Sequence, residues 1–175
     1  MAHSKENFKE WISCIPDKMD KFTQEFAGNN HLILDYTMAS LDDLESWILV
    51  HYHDANELTN DSSTLDYITI YIGETFRRYL GGEWDIDIDN KEDAHHPIIT
   101  LTDASYKGES QIAPMTIATE CISRNKENSL NAFLNYGYQI LLSTFNKEIV
   151  ANGYLTQIGL FHKNMFNYYN LSSPN

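Results

Sequence analysis

Cysteine, proline and glycine are scarce in this chain: two, four and eight residues among 175. So little glycine and proline excludes a collagen-like tract and a long low-complexity linker. Cys14 and Cys121 lie far apart, each inside an apolar pattern, and supply neither a disulfide framework nor the CxxC spacing of a zinc site. They read as buried thiols of a reducing compartment. Long apolar runs are missing too. No stretch approaches the roughly 20 apolar residues of a membrane span. Residues 1–9 are polar and charged where a secretory signal needs an apolar run. The cytoplasm is therefore the expected location, with no membrane association. Common catalytic and cofactor motifs are also absent: there is no P-loop, no GxGxxG, no GxSxG elbow and no HExxH. No cofactor is expected.

Basic charge is the remaining shortage. Lys and Arg number 12 against 25 Asp and Glu, for a net charge of −13. Residues 1–41 carry 6 acids and 4 bases, residues 42–93 carry 14 and 3, and residues 94–175 carry 5 and 5, so the thirds hold −2, −11 and 0. A nucleic-acid backbone requires a basic footprint, so this balance argues against nucleic acid as a partner. It permits a basic protein, and it favours solubility in any case.

What the chain does contain is ordinary for a folded protein: 42% hydrophobic and 21% charged residues, with 11 Tyr, 8 Phe and 3 Trp. That length and composition predict one domain over residues 1–175, with a frayed tail at about 171–175. Phe8, Trp11, Ile12 and Ile15 have helical spacing, stopped by Pro16. Pro16 can open a second short helix with Met19, Phe22 and Phe26 on one side. Residues 31–36 read as a short strand or extended stretch. Ser40 reads as the N-cap of a helix with a Leu41, Leu44, Ile48, Tyr52 stripe and with Asp43 completing an approximate capping box. Asp61, Ser62 and Ser63 are candidate caps for the strongest helix, striped by Leu65, Ile68, Ile72, Phe76 and Tyr79 and ended by Gly81-Gly82.

The period then drops to two. Trp84, Ile86 and Ile88 alternate with Asp85, Asp87 and Asp89, predicting a half-buried strand over about 83–89. A second follows over 97–102, and the two make a central antiparallel hairpin. Residues 106–110 read as a turn. Pro114 opens a helix with Ile117, Cys121 and Ile122, Ser129 caps another, and Tyr154 starts a last amphipathic run. Two strands cannot bury a face alone, so helices must cover them. The fold class is α+β, with several helices packed on a small antiparallel sheet.

Three clusters could carry chemistry. Asp85, Asp87 and Asp89 share one strand face, joined by Glu92 and Asp93 in the following loop. A calcium loop would need Gly and Glu where Asn90 and His96 stand, so the cluster reads as a solvated acidic face able to bind a basic partner. His95 or His96 with Asp93 offers imidazole and carboxylate suited to zinc or manganese, though without a recognised ligand spacing. Gly73 in mid-helix costs about 1 kcal/mol against Ala, which marks it as a point of close approach. Glu74 can pair with Arg77 or Arg78 on the helix surface, or face inward and line a pocket with Arg77, Arg78 and Trp84.

The run Gly73-Glu74-x-x-Arg77…Gly81-Gly82-x-Trp84 resembles small uncharacterised bacterial α+β proteins with a GExxR…GGxW helix–turn–strand motif. The resemblance covers about residues 34–101. It implies a fold and carries no catalytic residue. Composition and charge then favour a non-catalytic acidic interaction protein, of the immunity or antitoxin kind, binding a basic protein partner. The alternative is a small enzyme or a ligand- or metal-binding domain with its pocket between the helix of Glu74 and the hairpin after Trp84. Self-association through exposed aromatics is a third possibility.

Overall fold

The computed structural model describes residues 5–86, 96–101 and 110–124, together with positions 130 and 133. Helices α1 (Lys5–Ser13) and α2 (Ile15–Lys21) come first, and α2 runs on through a π-helical turn (Phe22–Phe26) into α3 (Ala27–Asn29). Pro16 sits in the first turn of α2, where its missing N–H costs nothing. Ile15 therefore starts the second helix rather than closing the first. The helices α4 (Met38–His51), α5 (Ala55–Asn60) and α6 (Ser62–Leu80) follow. Strands β1 (Glu83–Ile86), β2 (Pro97–Leu101) and β3 (Ser110–Ile112) precede α7 (Pro114–Arg124). The chain is α+β, as its periodicities predict.

Residues 31–36 form no strand. His31 (φ 57°) and Tyr36 (φ 63°) both take left-handed backbone, which breaks an extended run at each end. The cap of α4 lies three residues earlier than predicted. Thr37 accepts from the Ser40 N–H at 3.2 Å, and Ser40 is instead a buried residue of the first turn. Its hydroxyl lies 2.6 Å from the Tyr71 hydroxyl. The short α5 was not predicted. Asp54 caps it, accepting from Asn56 and Glu57 N–H, and Leu58 is fully buried.

Helix α6 is the axis of the fold. Asp61 caps its start by accepting from Thr64 N–H, and Gly81 and Gly82, at φ 76° and 92°, end it. Leu65, Ile68, Ile72 and Phe76 are buried as predicted, and so are Thr69, Ile70, Tyr71 and Thr75. A helix apolar on most sides needs neighbours on most sides, and α2, α5, α7 and β2 all pack on it. Phe22 lies parallel to Tyr67 at 5.5 Å between ring centroids, and edge-on to Tyr71 at 5.8 Å. Among the described residues, no helix is long and apolar enough to cross a membrane.

The sheet order is β1-β2-β3, antiparallel throughout. Trp84 pairs with Ile99 and Ile99 with Ile112, so one cross-strand row points at the helices. Glu83 and Asp85 point outward, in the predicted alternation. Residues 87–89, the far end of the predicted first strand, lie outside the described residues. So does Thr102, the last residue of the predicted second strand. Strand β3 was not foreseen, because three residues, Ser110-Gln111-Ile112, are too short to show a period. The predicted turn residues 106–109, the Ser129 cap, the run from Tyr154 and the tail at 171–175 also fall outside the described residues.

The Tyr71 hydroxyl is buried, bridging Ser40 and the N–H of Tyr36 at 2.9 Å. Tyr71→Phe leaves that N–H without its acceptor and is expected to cost about 1–3 kcal/mol in urea unfolding at pH 7. Burial pushes the Tyr71 hydroxyl up to about 12 from 10.0. The native state therefore keeps a proton that the unfolded chain releases. This contribution is complete below pH 10 and declines as pH rises towards 12. Melting curves across that range should show a shallower alkaline decline in Tyr71→Phe than in the wild type.

A Cβ on Gly73 would lie well inside van der Waals contact of Trp84 Cη2 and Cζ2. Gly73→Ala should therefore destabilise by about 2 kcal/mol despite the better helix propensity of alanine. In a Trp84→Ala background the same change should be neutral or stabilising, and a double-mutant cycle in urea measures the difference.

Candidate functional site

Of the four residues proposed to line a pocket, Glu74, Arg77 and Trp84 bond to one another and Arg78 does not join them. Gly73 lets the Trp84 indole lie against α6, and its Nε1–H donates to Glu74 Oε1 at 2.7 Å. Arg77 Nη1 donates to the same oxygen at 2.7 Å, and Arg77 Nε donates to the Gly82 carbonyl at 3.2 Å. The GExxR…GGxW spacing thus ties the end of α6 to the first strand. Trp84 in turn meets Trp11 edge-on at 5.0 Å, and Trp11 Nε1–H donates to Asp66, which also pairs with Lys18. Arg78 goes elsewhere: its guanidinium lies 3.5 Å from the centre of the Tyr36 ring, which stacks on Tyr71 at 4.9 Å. That stack helps hold Tyr36 in its left-handed conformation.

Of the acidic face, Asp85 is described. It is exposed, accepting from its own strand at Ile86 N–H and from Thr100 Oγ1 at 3.4 Å. Asp87, Asp89, Glu92, Asp93 and His95 lie outside the described residues. His96 is half-buried just before β2. Among the described residues, no three His, Cys, Asp or Glu side chains gather as a metal site.

A second polar centre went unnoticed in the sequence. Glu45 on α4 is 2% exposed, and its Oε2 accepts from the Leu130 N–H at 3.0 Å. Cys121 on α7 is fully buried, and burial pushes its thiol up to about 12, with the Glu45 charge acting in the same direction. Around this centre Met115, Ile117, Ala118, Ile122 and Leu130 join the same buried cluster as the α4 and α6 residues. The signal was available: Glu45 falls between Leu44 and Ile48, on the apolar stripe of α4 rather than beside it. Its partner, 85 residues away, could not be read from spacing.

Comparison with known proteins bears on this second centre. The family described as CRISPR associated protein Cas1 matches residues 109–173. The CRISPR-associated endonuclease Cas1 of Neisseria meningitidis serogroup C (strain 8013) is 38% identical over 53 residues, 30% of this chain and 17% of that protein. The chain therefore aligns with a small part of that relative. No solved structure matches. These matches correct the resemblance to uncharacterised bacterial α+β proteins. That resemblance rested on residues 34–101, whose glycine, glutamate, arginine and tryptophan serve helix-to-strand packing and say nothing about the stretch after 109. They also overturn the reading as a non-catalytic, immunity- or antitoxin-like acidic protein, which rested on overall charge. The similarity to an endonuclease family falls in the part of the chain where that charge is balanced.

Proposed function

We infer that the chain has a CRISPR-associated, nuclease-related function of the Cas1 kind, carried by residues 109–173 and supported on the helices before them. The observation that carries this reading is the family match over 109–173. Its physical counterpart is that the start of this stretch is core: β3 completes the sheet, and α7 packs on α4, α5, α6 and β2. The matching stretch and the preceding helices act as one unit in this reading, within the cytoplasm. An enzyme reading thereby replaces the non-catalytic one, with its chemistry in the C-terminal stretch.

The charge distribution fits a division of labour. Residues 42–93 hold a net −11, while residues 94–175 carry five bases and five acids. A nucleic-acid strand is repelled by the first and less so by the second. An endonuclease acts on internal phosphodiesters, water attacking phosphorus as a sugar oxygen leaves. The purified full chain, incubated at low salt with end-labelled single- and double-stranded DNA and RNA, with and without divalent cations, is expected to yield internal cleavage products of at least one substrate. Intact substrates throughout, together with no retention of any of them in a gel-shift assay, would overturn this function.

A further inference from the structure

Burying a carboxylate costs several kcal/mol unless hydrogen bonds or positive charge offset it. Glu45 is 2% exposed beside Leu41, Leu44 and Ile48, all fully buried, on a helix that could have carried another leucine there. Its Oε2 accepts from the backbone N–H of Leu130, itself fully buried and helical. The sequence predicts Ser129 as a helix cap, and the first N–H groups of such a helix would lack partners within it and form its positive end. A buried anion at that point satisfies an N–H and opposes the helix dipole together. The bond joins α4, which precedes the family match, to a residue inside it.

We propose that Glu45 is a positioning residue, whose carboxylate holds the helical backbone at Leu130 in the buried cluster it shares with α4 and α7 and so fixes where the Cas1-like stretch is anchored at Leu130. What the held stretch does rests on the function proposed above; the hold itself does not.

Hydrogen exchange on the full-length chain tests it, following the peptide that contains Leu130 against peptides from α6. Glu45→Leu fills the site without an acceptor, and Glu45→Gln keeps one. Exchange at Leu130 should rise at least tenfold in Glu45→Leu with α6 unchanged, and stay within about threefold of wild type in Glu45→Gln. Unchanged exchange in Glu45→Leu, or an equal rise across α6 and Leu130, would overturn the proposal. If Glu45→Leu does not fold, a Glu45→Gln protein exchanging at Leu130 as fast as a free peptide overturns it, and retained protection supports it. Cleavage is measured on the same proteins. A wild type that cuts nothing removes the function while leaving the exchange result standing. Where the wild type cuts, equal cleavage by Glu45→Leu would overturn the link between this hold and the proposed function, with the exchange result still deciding the hold.

Discussion

With ten of its 19 residues buried, α6 meets neighbours on most sides, and several of its polar and small residues lie against them. Three such contacts each fix a neighbouring element. Asp66 accepts from Trp11 and Lys18, which sets α1 and α2. Tyr71 bridges Ser40 and the backbone of Tyr36, which sets the turn into α4. Gly73 and Glu74 receive Trp84, which sets the sheet. Hydrogen bonds of this kind add little net stability, but they are costly to leave unmade. They therefore choose one packing among several that the apolar surfaces alone would allow.

The same logic extends to the stretch similar to Cas1. It meets the helical core at the buried α7 face and at Glu45, so the similarity to Cas1 begins inside a mixed α+β core. Acidic charge is concentrated in the elements before it.

The long periodic elements were legible in the sequence. The stripe from Leu65 to Phe76, the Gly81-Gly82 stop and the Trp84/Asp85 alternation each express a local period, and each appears where expected. The hydrophobic pattern around Pro114 likewise gave α7 its place. What escaped was set by distant partners or by very short segments. Residues 31–36 look extended because Leu32, Ile33 and Leu34 form a short aliphatic run, but Tyr71 and Arg78 hold Tyr36 in a left-handed turn. The short α5 could have been found from Asp54 and Glu57, whose spacing is that of a capping pair: Glu57 Oε2 accepts from His53 N–H at 2.7 Å. In the candidate site the Glu74–Arg77 pair follows from helical spacing, but the bond from Trp84 to Glu74 depends on the indole folding back across Gly73. The buried role of Glu45 needed Leu130, and no local pattern reveals a partner so far along the chain.

The central claim is that α7, the first helix of the Cas1-like stretch, belongs to the same cooperative core as the helices before it. Equilibrium urea unfolding followed by two probes tests this most directly: fluorescence of the Trp11–Trp84 cluster, and pulsed thiol labelling of Cys121 resolved by peptide mass. Coincident transitions are the predicted result, because Cys121 can be exposed only when the core around α6 opens. Labelling of Cys121 at clearly lower urea, with tryptophan emission still native, would show α7 to be a separable attachment and would contradict the account.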